Sequence, residues 1–550
     1  MRTTITIFVL LFSFQCAITA QDETPKVKEV DTNALLSSAL TGDKDARAEL
    51  LKLSVEDLQA AIKGFTFKAT TKSGIIQMKT DCPDGFTRPY WVRIPKGYDP
   101  TKSYPAIVGL HGGVSGMPLY GSEEQPGPGK WSISFWEDNL GEQVDSVFLI
   151  GCSAGPRETS RNAVWWKHEG RQNIEHFIFE TKRQFNIDDD KVFVTGHSDG
   201  GSGSFALAAH TPNTYAGFFP MNGNSLVQTT DDQGFWIENF KGKNIYAFNS
   251  GKDSLYPAKS MTPIYDQANK AGADIKYSVH PDNNHGIQDV IGEEIPKFMK
   301  DYFANWKRNL VPTNIDWTCD ELNSARCGWL EITEIAESKY KGAGDNQDVK
   351  LAPGRVRLGI MVKQDVEQPT VESVVAKSTA EKMGMKADDE ILELNGTKVT
   401  KMADLIDVLG KCKPGDKITA KIKRGDEEKD LEGQFEAHDN SYKVKQEAAR
   451  VVGQSFKGGV GFSLRNVGKV RIHVSPSMLE EGTLDVMYYP AENSFKSQPY
   501  RVAASNEYIL DAFLKTADRK NPFVNVIEVD FSDLKKPTKK ETPPEDEDEF

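Results

Sequence analysis

With 550 residues and a formal net charge of −13, the chain has room for roughly three domains, and its acidity argues against nucleic acid as a partner. Six cysteines are too few for a disulfide scaffold and none shows metal-ligand spacing, so no metal and no other cofactor is expected.

Arg2, the apolar run from Ile5 to Phe14 and the small-residue end Ala17-Ile18-Thr19-Ala20 predict a removable signal over residues 1–20. The chain is therefore expected to be exported, periplasmic or extracellular. The apolar run is too short to span a bilayer stably, and no other run reaches membrane length. Residues 21–64 read as polar loop and short helices, with Ser54 as an N-cap and Asp57 at the third helical position.

Tyr104 to Leu110 reads as a buried strand that runs into His111-Gly112-Gly113. The two glycines let the backbone approach a substrate, and such a loop offers N–H groups to a developing oxyanion. His111 is read as a structural turn residue. Trp131, Trp136, Trp165 and Trp166 follow in a long segment. Aromatics there suit a sugar ring or an aromatic acyl group, although residues of this kind are more often simply core.

Lys191 to Ala209, KVFVTGHSDGGSGSFALAA, is the most informative stretch. A β-branched and aromatic run ends in Gly196-His197-Ser198-Asp199-Gly200, and a helix-like run of small residues follows. Strand, G-x-S-x-G, helix is the context of a nucleophile elbow, where a strained turn lifts the serine above the sheet edge. Ser198 is the expected nucleophile, and the N–H of Asp199 is the second expected oxyanion donor. The Asp199 carboxylate is expected to point away from the oxyanion.

A serine so presented needs an acid and then a histidine further along the chain. His280, His285, His438 and His473 are the histidines that follow Ser198 by more than one helix. His280 ends a strand-like run, whereas His285 lies in the turn-rich Asp282-Asn283-Asn284-His285-Gly286, where a base can face the serine. Asp253 follows the buried run Asn244 to Phe248 and is expected to orient His285. Asp231 and Asp232 have no strand before them, and Asp282 is too near His285 in sequence. A helix from Glu293 to Arg308 is expected to close this region, with Ile295, Phe298, Met299 and Phe303 at helical spacing.

Residues 65–308 resemble an α/β-hydrolase of the secreted esterase and polyhydroxybutyrate-depolymerase-like group. The HGG loop, Phe185-Asn186-Ile187-Asp188, GHSDGG, the block from Thr211 to Gly217, NSGKD and NNHG carry the resemblance. Asp199 departs from it, since small or apolar residues are commoner there. The resemblance implies a Ser198–Asp253–His285 triad, with backbone N–H groups of Gly112, Gly113 and Asp199 as the oxyanion hole.

The sequence character changes beyond residue 308. Asn314 to Thr318 and Gly328 to Thr333 read as strands, with Cys319 and Cys327 flanking a hairpin turn and able to pair in an oxidising compartment. From 354 to 436, Val356 to Met361, the segment into Glu390-Ile391-Leu392-Glu393-Leu394-Asn395-Gly396, a helix near Ala403 to Leu409 and a strand from Ile418 to Arg424 resemble a PDZ domain. Leu358-Gly359-Ile360 matches the loop that caps a peptide's C-terminal carboxylate, and Arg357 replaces the first glycine of the commonest form. The implied partner is a peptide C-terminus added as a strand. Val470 to Val474, Thr483 to Tyr489 and Val524 to Phe531 read as further strands. Esterases of the group often carry a β-rich module, so the expected fold is an α/β-hydrolase core followed by a discontinuous β-rich module, 312–350 and 437–534, with the PDZ domain inserted. Residues 535–550 form an acidic solvated tail.

The expected activity is hydrolysis of carboxylic esters through an acyl-enzyme, on a substrate that is carbohydrate-linked or aromatic-acyl-linked. Two alternatives stand: a prolyl-oligopeptidase-like serine peptidase, and a PDZ-based binding protein with a vestigial hydrolase domain.

Overall fold

Central strands with no polar alternation build the first sheet. The computed structural model describes residues 31–114, 127–154, 164–337, 342–351, 356, 358–363, 366–435, 441–491 and 494–531. The expected signal, the acidic tail, Arg357 and His438 lie outside the described residues. The strands are β1 (Gly74–Asp81), β2 (Thr87–Ile94), β3 (Tyr104–Leu110), β4 (Phe148–Gly151), β5 (Ile187–His197), β6 (Gly217–Met221), β7 (Ile245–Ser250) and β8 (Ile275–His280). They form one eight-stranded sheet in the order β1-β2-β4-β3-β5-β6-β7-β8. β1, β2 and β4 pair antiparallel, and every pairing from β4 to β8 is parallel. β4, β6 and β7 are buried along their whole length, as parallel strands covered on both faces must be.

The helices are α1 (Thr32–Ala39), α2 (Lys44–Leu50), α3 (Val55–Lys63), α4 (Pro128–Asn139), α5 (His168–Lys182), α6 (Asp199–His210), α7 (Ala258–Lys270) and α8 (Ile291–Phe298). One face of the sheet is covered by α5, α6 and α7 through Ile174, Phe177, Phe205, Leu207 and Ile264. The other is covered by α4 and α8 through Ile133, Trp136, Ile295 and Phe298. The molecule is thus an α/β-hydrolase core with a mixed, mainly parallel sheet.

One local expectation changes. The helix expected through Arg308 leaves α-geometry after Phe298 and ends in a π-turn over Met299–Phe303. Lys191 Nζ donates to the carbonyls of Phe303 and Ala304 at 3.1 and 2.8 Å, so a side chain satisfies the helix end. The N-terminal helices do not stand alone. Ser54 Oγ caps α3 by accepting the Asp57 N–H at 3.1 Å. Leu36, Leu50 and Leu58 pack on Leu510 and Phe513 of the helix Asn506–Thr516, and Arg47 pairs with Asp511 at 2.8 Å.

Beyond the core lies a β-rich region that contains the PDZ domain. Asn314–Cys319 pairs with Ala449–Phe456, and Leu330–Ile335 pairs with Val467–Val474. Trp317, Trp329, Val451 and Val470 share one core cluster between these sheets. The PDZ segment has its own core, including Leu358, Val371, Ile391, Leu405 and Ile418. At its base, Val349 pairs with Tyr442 and Lys350 with Ser441, so the chain enters and leaves the PDZ segment side by side. Cys319 and Cys327 are both free thiols. The hairpin that would have paired them does not form, because they lie in different sheets, and Lys243 Nζ sits 3.3 Å from Cys327 Sγ.

Candidate active site

β5 delivers Ser198 to the carboxyl end of the sheet, where the sites of open α/β sheets gather. Ser198 has φ 59° and ψ −120°, a conformation rare outside glycine. The turn is held by close packing. A Cβ on Gly200 would overlap the Leu110 carbonyl, and one on Gly196 would meet the Gly200 backbone. The Ser198 N–H donates to the Met221 carbonyl at 3.0 Å, which ties the turn to β6.

His285 and Asp253 reach this serine from loops after β8 and β7. Ser198 Oγ and His285 Nε2 are 2.8 Å apart, and His285 Nδ1 lies 2.8 Å from Asp253 Oδ2. Asp253 is 1 % exposed and its Oδ1 accepts the N–H groups of Leu255 and Tyr256 at 2.7 and 2.9 Å. Burial pushes its carboxyl pKa up, but His285 and these N–H donors outweigh that and hold it below the ordinary value. An ionised Asp253 accepts from Nδ1–H, which leaves the Nε2 lone pair facing the serine hydroxyl. His280 is elsewhere: its Nε2 contacts Glu294 at 2.6 Å.

The loop after β3 faces the elbow. His111 is buried, and its Nε2 accepts the Ala154 N–H at 3.1 Å. Its Nδ1–H therefore donates to the Gly112 carbonyl at 2.8 Å. Burial lowers its pKa to about 4, so it is a neutral prop for the loop. Gly112 lies against Ser198, since a Cβ there would stand 3.1 Å from Ser198 Cβ.

Asp199 differs from expectation. Its carboxylate turns toward the loop, and Oδ2 accepts the Val114 N–H at 3.0 Å. The Gly113 N–H also faces this carboxyl, so of the expected oxyanion donors Gly113 is directed at Asp199. Burial raises the Asp199 pKa, opposed by the Val114 and Gly113 N–H groups and by His285.

The tryptophans divide. Trp136, Trp165 and Trp166 are core residues, and Trp165 Nε1 donates to the His111 carbonyl at 2.8 Å. Trp131 is 42 % exposed and its ring stands 6.3 Å from that of His197. Two residues at the site were missed from the sequence. His197 Nε2 lies 2.6 Å from the His285 carbonyl, and Asn222 Nδ2 donates to the same oxygen at 3.0 Å. The available signal was position: His197 precedes the serine, and Asn222 follows the end of a parallel strand. Among the described residues, no group of His, Cys, Asp or Glu is arranged to hold a metal. Among them also, no helix is long and apolar enough to cross a membrane.

In the PDZ segment, Leu358 is buried and Gly359 has φ 85°. A side chain at Gly359 would overlap Ser378. Ile360 opens the strand Ile360–Val362, which pairs with Val371–Val374 on one edge. Met402 and Ile406 of the helix Met402–Lys411 are exposed.

Residues 157–296 match the dienelactone hydrolase family, and residues 356–433 match the PDZ domain. Over 103 residues the chain is 33 % identical to a probable periplasmic serine endoprotease DegP-like protein of Marinomonas sp. (strain MWYL1), covering 16 % of this chain and 22 % of that protein. The chain thus spans about a fifth of that relative's length. Among solved structures, a thermostable esterase is 20 % identical with a TM-score of 0.33, over 42 % of this chain and 63 % of that one. An S-formylglutathione hydrolase from Staphylococcus aureus is 14 % identical with a TM-score of 0.33, over 42 % of this chain and 99 % of that one.

Proposed function

We propose that this chain, an α/β-hydrolase domain joined to a PDZ domain, cleaves carboxylic esters through a covalent acyl-enzyme. The observation that carries the reading is the hydrogen-bonded series Ser198–His285–Asp253, with 2.8 Å at each link. Ser198 Oγ attacks the ester carbonyl while His285 Nε2 takes its proton. The tetrahedral oxyanion is held by N–H groups at Gly112 and Asp199, and the imidazolium is stabilised by Asp253. His285 then gives the proton to the departing alkoxide, and water repeats the sequence to free the acid. Trp131, exposed beside His197, favours a substrate that can stack on an aromatic ring, such as an aromatic acyl group or the C–H face of a sugar.

The PDZ segment, inserted in the β-rich module, takes a peptide C-terminus along the strand Ile360–Val362, with the carboxylate at Leu358-Gly359-Ile360. The apolar run of the first residues, together with the periplasmic description of the partial relative, supports export. A fluorophosphonate probe tests the chemistry. It should label Ser198 in the wild type and leave Ser198→Ala unlabelled. That variant should lose on the order of 10⁴-fold or more in turnover of a short-chain aryl ester. A wild type that is neither labelled nor active would leave the PDZ-based binding protein as the better reading.

A further inference from the structure

The imidazole of His285 needs a fixed main chain as well as a fixed ring. Its own carbonyl is gripped from two sides, by His197 Nε2 at 2.6 Å and by Asn222 Nδ2 at 3.0 Å. A carbonyl oxygen only accepts, so His197 carries its hydrogen on Nε2. Its ring also packs against the His285 ring, with centroids 4.9 Å apart.

Both clamping residues are anchored in the sheet. His197 ends β5, one residue before the nucleophile. Asn222 follows β6 with φ 45°, donates its N–H to the Phe248 carbonyl at 2.9 Å and accepts the Ser250 N–H on Oδ1 at 2.8 Å. The His285 loop has little regular structure of its own. It is strung on side-chain amides, such as Asn283 Nδ2 on Ser250 Oγ at 2.8 Å and on the Gly286 carbonyl at 2.7 Å.

We propose that His197 is a positioning residue which, with Asn222, holds the His285 carbonyl so that the imidazole stays between Ser198 and Asp253. The inference rests on the serine-hydrolase reading above. A misplacement of the base by about 1 Å is enough to cost about 100-fold in rate. Burial lowers the His197 pKa to about 4, so the residue stays a neutral donor across the range in which a serine hydrolase works.

The test compares His197→Leu, which removes the donor, with His197→Gln, whose amide nitrogen can still donate. Turnover and KM are measured on a short-chain aryl ester, with the rate of fluorophosphonate labelling at Ser198. The Leu variant should lose about 10- to 100-fold in kcat and in labelling rate, with KM changed by no more than about twofold. The Gln variant should recover at least about fivefold of that loss. Asn222→Asp, which sets an acceptor against the same carbonyl and keeps the Ser250 contact, should show the same kcat loss and covers the case in which the Leu variant does not fold. Hydrogen exchange over residues 281–287 should quicken in the Leu and Asp variants. A folded Leu variant at the wild-type rate, or an Asn222→Asp enzyme at the wild-type rate, overturns the positioning role while the labelled wild type leaves the chemistry intact. A wild type that the probe does not label overturns the serine-hydrolase reading itself.

Discussion

The Asp199 carboxylate accepts the Val114 N–H at 3.0 Å, so the residue after Ser198 is bonded to the loop that faces it. The start of the helix after Ser198 is thereby tied to the loop after β3. The group on these loop amides is a side chain of the protein itself, and burial raises its pKa.

Asp199→Asn keeps an acceptor for Val114 and should retain kcat within about threefold, whereas Asp199→Leu strands part-buried amide donors and should lose at least about tenfold, matching about 1–3 kcal/mol for an unsatisfied group. Steady-state kinetics of the two variants on one ester check this. Equal losses in both would mean that the charge, not the tether, is what matters.

Asp253→Asn leaves the packing nearly unchanged but presents an amide where a carboxylate holds Nδ1–H. Turnover should fall by about 10⁴-fold with a folded protein, because the imidazole loses its tautomer and its counter-charge. Circular dichroism alongside the ester assay separates this from unfolding.

Stability should fall on acidification below pH 6.5. Burial holds His111, His197 and His473 neutral, each with a pKa of about 4 in the folded chain. The unfolded chain binds protons on these residues from about pH 6.5 downward, while the folded chain does not until about pH 4. The stability is therefore full above pH 6.5 and lost progressively toward pH 4. His473, 2.9 Å from Glu331 and remote from Ser198 in the fold, gives the check. His473→Gln should flatten the slope of the melting temperature between pH 6.5 and 4, and an unchanged slope would refute it.

Replacing residues 352–440 by a short Gly/Ser linker should leave kcat on a small ester nearly unchanged. Val349 and Tyr442 are already paired neighbours, so the linker has little distance to cross. The stem also stays on the hydrolase, through Gln267 on both the N–H and the carbonyl of Lys350, at 2.8 and 2.7 Å. A loss of turnover in a folded deletion protein would show that the PDZ segment acts on the site directly.

Trp131→Ala should raise KM for aryl esters with little change in melting temperature, because the side chain is 42 % exposed. The same change at Trp136, which is fully buried, should cost about 3–5 kcal/mol of stability.

Local pattern alone singled out Ser198 as the candidate nucleophile, because a glycine-bounded serine between a β-branched strand and a helix of small residues is the pattern of a nucleophile elbow. It also brought His285 and Asp253 forward, since Asp253 follows a buried strand and His285 lies in a turn-rich loop. Pattern could not say where a side chain turns. Asp199 was expected to face away and instead bonds to Val114, and three of four tryptophans proved to be core. Nor could it show that the free thiols Cys319 and Cys327 sit in separate sheets, or that the helix Asn506–Thr516 would bind the N-terminal helices. The grip of His197 and Asn222 on the His285 carbonyl joins residues up to 88 positions apart. Period and composition encode which face of an element is buried, whereas these contacts depend on how the ends of β5, β6, β7 and β8 are brought together, which only the folded sheet decides.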